Sequence, residues 1–100
     1  MARFEQHVRN ALDSLPDHIV AALKNVAVVV EDENPEEPDL FGLFEEHEYM
    51  PAKITVYRLP LEEEFPDPRD LEREIRITVL HELAHYFGID EDRLDELGYA

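Results

Sequence analysis

His81-Glu82-Leu83-Ala84-His85 sets two imidazoles four residues apart, with a carboxylate directly beside the first. On a helix turning about 100° per residue, His81 and His85 lie roughly 40° apart, and Glu82 lies about 60° from His85. Neutral imidazole nitrogen is a preferred ligand of zinc, so the pair can hold one ion between adjacent turns. Glu82 is then within reach of a water activated by that ion and can take its proton as general base. The reading is therefore one zinc ion per chain, held by His81 and His85, with Glu82 as the catalytic carboxylate.

Two histidines do not complete such a site, because catalytic zinc commonly takes three protein ligands and a water. Candidates follow immediately in Gly88-Ile89-Asp90-Glu91-Asp92. On a continuing helix, Glu91 would stand about 15 Å along the axis from His81. Gly88 offers a left-handed residue that turns the chain back and lets one of these acids approach. Asp90 suits the cap of a final helix over Glu91 to Leu97, which leaves Glu91 or Asp92 for the metal. Other nucleophiles are scarce: cysteine is absent and Ser14 is the single serine, so a serine or cysteine hydrolase is not expected.

The elements that must position these residues can be read from periodicity. Phe4, Val8, Leu12 and Leu15 predict an amphipathic first helix ending before Pro16, and Ile19, Ala22 and Leu23 predict a short second one. The β-branched run Val26 to Val30 predicts a central strand buried on both faces. Leu40 to Phe44 predicts a short edge strand interrupted by Gly42, and Ile54 to Leu59 a further strand. The segments Glu31 to Asp39 and Pro60 to Asp70, rich in proline and acids, read as loops. Leu71 to Phe87 predicts the longest helix, with Ile75, Val79, Leu83 and Phe87 as its core stripe, widened by Leu80 and Ala84. His81 and His85 fall at the margin of that stripe, between dry walls and solvent. This order of elements implies an α+β fold with one small sheet.

At 100 residues the chain fits a single domain over 1–100, with one modest core. Its net charge of −16 repels polyanions, so neither nucleic acid nor an anionic membrane is an expected partner. No apolar run approaches the roughly 20 residues of a membrane span, and the first residues lack the apolar stretch of a secretory leader. A cytoplasmic location is the default expectation.

His81, Glu82, His85 and Gly88, followed three residues later by an acid, resemble the HExxHxxGxx(H/D) pattern of the zincin metallopeptidases. Carried over, the resemblance implies His81, His85 and Glu91 as zinc ligands and Glu82 as general base. Glu91 departs from the usual His or Asp by one methylene or more. Val28-Val29-Val30-Glu31-Asp32, Gly42-Leu43-Phe44, Ile54-Thr55-Val56-Tyr57-Arg58 and Glu96-Leu97-Gly98-Tyr99 extend the likeness to the small bacterial minimal zincins, over about residues 25 to 99. That family implies a minimal zincin-like metallopeptidase fold: a small mixed sheet packed on N-terminal helices and a long HExxH helix, with a short C-terminal helix.

The function so implied is hydrolysis of a peptide bond in a peptide or protein substrate. Arg58, Tyr86 and Tyr99 are candidates for stabilising the oxyanion, and the Leu40 to Phe44 edge could hold an extended substrate by strand addition. Only 12 residues follow Gly88, too few to build the lower wall of a deep cleft. Either the substrate is short, or a homo-oligomeric partner completes the cleft, or the chain is a metal-binding or regulatory module that does not cleave peptides. A metal-dependent ribonuclease is disfavoured by the acidic balance. His7, His18 and His47 carry no ligand spacing.

Overall fold

The computed structural model describes residues 2–87 and Asp92. Helix α1 (Ala2–Asp13) buries Phe4, Val8 and Ala11, and Leu15 follows beyond its end. It stops where the Ser14 and Leu15 amides bond back to Asn10, Ala11 and Leu12 carbonyls and Pro16 turns extended. Helix α2 (Asp17–Ala22) runs into a single 3-10 turn, Leu23–Asn25, which delivers the chain to strand β1 (Val26–Glu31). Strands β2 (Gly42–Glu45) and β3 (Ala52–Tyr57), then helices α3 (Arg58–Glu64) and α4 (Pro68–Phe87), complete the described chain. The architecture is α+β, with four α-helices and a three-stranded mixed sheet among the described residues.

The strand order is β1-β3-β2, so the middle strand is β3 and not the valine run. β3 pairs parallel with β1 and antiparallel with β2. Ile54, Thr55, Val56 and Tyr57 are each at most 4% exposed, whereas β1 is buried only at Val26. A β-branched apolar run marks a strand but not its place in the sheet. Here the central position went to a strand whose polar residues could be covered. One of them, the Thr55 hydroxyl, is buried without a hydrogen-bond partner among the described residues. Tyr57 instead receives a bond at its hydroxyl from the Asn34 amide.

The expected loop from Pro60 to Asp70 is mostly helical. Arg58 and Leu59 leave the strand and open α3, where Pro60 sits in the first turn and its missing N–H costs nothing. Leu61 is then fully buried. α4 begins at Pro68, three residues earlier than its apolar periodicity indicated. Asp67 caps it: its carboxylate accepts from the Arg69 N–H at 2.8 Å, and Pro68 takes the first helical position.

Phe4, Ile54, Val56, Leu61, Ile75, Val79 and Leu83 form one core between the sheet and the helices α1 and α4. The stripe on α4 ends at Leu83, because Phe87 is 55% exposed rather than inward. α1 is tied to α4 by polar contacts as well: His7 and Asn10 both meet Glu72, at 2.6 and 3.0 Å, and Arg76 donates to Ser14. His7 thus has a structural partner.

Candidate metal and catalytic site

α4 lies against β2 and β3, and its last two turns carry His81, Glu82 and His85, with Glu82 against β2. Leu83 and Ala84, between them, point into the core and fix the helix rotation. The rim position expected of the histidines is observed. His81 is half-buried, and the His85 side chain is 54% exposed. Their ring centroids stand 6.0 Å apart. Imidazoles sharing a tetrahedral ion at about 2.1 Å bring their centroids to roughly 5 Å, so a small side-chain adjustment closes the pair.

Glu82 occupies the inner side of this rim, with its side chain only 14% exposed. Burial pushes its carboxyl above the ordinary range, against the pull of His85, the backbone N–H of Phe44 and His81, which all favour the charged form. Its Oε1 is 3.6 Å from Nδ1 of His85. A partly desolvated carboxylate beside two imidazoles holds a proton more readily than an exposed one, which is the direction general-base work requires.

The Phe44 amide reaches Glu82 because β2 comes very close to α4. A Cβ on Gly42 would stand 2.5 Å from Cγ2 of Thr78 and 3.2 Å from the Thr55 carbonyl. Only glycine admits this approach. The Tyr57 N–H bonds to the Phe41 carbonyl at 2.9 Å, so by antiparallel alternation Gly42 and Phe44 turn their backbone groups away from β3. The edge of β2 that no strand pairs among the described residues is therefore the edge beside Glu82. From sequence, Gly42 read as an interruption of a strand; its role as a spacer needed Thr78, 36 positions away, to be placed against it.

Of the candidate electrophiles, Arg58 is held by Asp32 at 3.0 Å and Glu62 at 2.8 Å, which raises its pKa and commits its guanidinium to the end of β3. Tyr86 is on the site helix, stacked on Phe44 at 5.5 Å and on Phe87 at 5.1 Å. Gly88, Asp90, Glu91 and Tyr99, with most of the expected final helix, lie outside the described residues. Asp92 is helical and exposed. Among the described residues no three His, Asp or Glu side chains group closely enough to hold an ion. Two imidazoles on one helical rim are donors that zinc accepts, and the residues expected to supply a third ligand lie outside the described ones.

No curated protein matches the chain. A family model described as zincin-like metallopeptidase matches residues 23–99, which include the whole sheet, α3 and α4 and leave out only α1 and α2. The chain belongs to the zincin-like metallopeptidase family.

Proposed function

We propose that the protein is a zinc-dependent peptidase acting on a peptide or protein substrate. The observation that carries this reading is Glu82: a carboxylate desolvated to 14% exposure, set between His81 and His85 and beside the edge of β2 that no described strand pairs. His81, His85 and Glu91 would hold the ion, in keeping with a family that generally binds zinc. A bound zinc supplies a Lewis acid that makes water nucleophilic near neutral pH and polarises the scissile carbonyl. Glu82 takes the proton of that water and returns it to the leaving amine, a transfer that its raised affinity for a proton favours. An extended substrate pairs with the outward backbone groups of Gly42 and with the Phe44 carbonyl, which lays it across the histidine rim while the Phe44 N–H stays on Glu82.

Glu82→Gln keeps the size and hydrogen-bonding of the side chain but cannot accept the proton. Peptide hydrolysis should fall by about a hundredfold or more, while elemental analysis still finds one zinc per chain. Hydrolysis that survives this substitution with zinc bound would sink the reading. A wild type that binds zinc through His81 and His85 but cleaves no peptide library would assign the chain to the second class, a metal-binding interaction module. His85→Ala should lose the metal in either case.

A further inference from the structure

A cavity of about 770 Å³ lies away from the histidine rim. It lies between the segment after β1 and helix α3. Phe41, Leu59, Pro38 and Pro60 give it an apolar lining. Phe41 is braced edge-on by Phe65 at 5.8 Å, and Leu59 is 39% exposed. The facing loop is ordered by Asn34, whose carboxamide oxygen accepts from the Glu36 and Glu37 amides and whose amide donates to Tyr57. The groove therefore has two built walls.

Its rim is wholly acidic. Glu33, Asp39, Glu62, Glu63 and Glu64 line it, and among the described residues no basic side chain does. Glu62 is engaged by Arg58. Glu63 and Glu64 are exposed in the last turn of α3, where negative charge is unfavourable to the helix dipole. The acids are too dispersed to hold a metal: no group of three suited to an ion occurs among the described residues. An apolar floor under spread carboxylates instead complements a chain that alternates apolar side chains with long-stemmed cations.

We propose that this groove is a docking site for a peptide segment carrying arginine or lysine interleaved with apolar residues. The floor takes the apolar side chains and the aliphatic stems, and the Glu33, Asp39, Glu63 and Glu64 carboxylates meet the cationic heads. The volume falls within the range of built ligand sites and exceeds what one side chain fills. The segment belongs to a partner protein, and docking does not depend on peptide hydrolysis at Glu82.

Fluorescence anisotropy with a labelled Gly-Leu-Arg-Leu-Arg-Leu-Gly peptide tests this on the full chain at physiological salt. Glu63→Lys/Glu64→Lys should weaken binding by about tenfold or more. Glu46→Lys/Glu48→Lys makes the same change of net charge at exposed positions outside the groove, and should weaken it far less. Replacing the peptide's leucines by serines should also cost about tenfold. Equal losses in the two protein variants, or indifference to the leucines, would reduce the effect to the acidic field of the molecule and overturn the proposal. So would spermine binding as tightly as the peptide, or self-association of the chain that the Glu63→Lys/Glu64→Lys variant abolishes. A fold-integrity control comes from the melting curves of both variants.

Discussion

Gly42 and Thr55 show how single residues shape the contact between the sheet and α4. Gly42→Ala would press a methyl group into Thr78 Cγ2 and the Thr55 carbonyl, so β2 must move away from α4. We expect a destabilisation of about 1–3 kcal/mol in urea melts, with hydrolysis falling further than stability because the Phe44 amide leaves Glu82. A shortened side chain at the other contact should relieve it: Thr78→Ser in the Gly42→Ala background should recover part of the loss, and no recovery would argue against this steric account. Thr55 is the opposite case. Its hydroxyl is buried with no partner among the described residues. Thr55→Val keeps the shape, removes that group, and should raise stability by about 1 kcal/mol. A loss instead would mean that the hydroxyl is bonded in solution.

At the scale of elements, the legible and illegible parts of the chain separate by what each signal measures. The His81 and His85 spacing and the Ile75, Val79, Leu83 stripe are properties of one helix, and both were readable, because periodicity reports a local face. The β1 run and β3 were recognisable as strands, but their order in the sheet was not. Order depends on which strand the helices and loops can cover, and Thr55 and Tyr57 concealed a central strand behind polar atoms. α3 was hidden by Pro60 and its acids, which read as breakers although Pro60 is harmless in a first turn. The early start of α4 was written in Asp67-Pro68, a cap followed by an N1 proline. Asp67→Ala should therefore cost about 0.5–2 kcal/mol, read as a lower urea midpoint with unchanged slope. The α1–α4 junction has its own pH signature. Asn10 and His7 hydrogen-bond to Glu72 and hold its carboxyl below the ordinary 4.5. A lowered folded pKa means the junction's stabilisation is complete above 4.5 and is lost as the pH falls through the folded value. The melting-temperature difference between wild type and Glu72→Gln should accordingly shrink as the pH falls below 4.5. A difference that grew on acidification would refute the contact.

For the molecule as a whole, the governing quantity is a net charge of −16. Among the described residues few carboxylates have a lysine or arginine within bonding distance; Asp32, Glu45, Glu62 and Asp70 do, and most of the described acids stand in solvent. Folding concentrates these charges, and their repulsion works against the compact state. Salt shortens its range, from a screening length of about 30 Å at 0.01 M to about 8 Å at 0.15 M. The melting temperature should thus rise between these two sodium chloride concentrations, since repulsion is relieved more than the few exposed ion pairs are weakened. The two double variants sharpen the test. Glu63→Lys/Glu64→Lys and Glu46→Lys/Glu48→Lys each reduce the net negative charge by the same amount. Both should melt higher than wild type at 0.01 M salt, and the gain should shrink at about 1 M, where the screening length is about 3 Å. If stability instead falls with added salt, local ion pairs and not global repulsion dominate the electrostatics of this fold. The same melts keep the two roles of the groove acids apart: a variant that melts higher yet releases the basic peptide has lost a docking surface and not its structure.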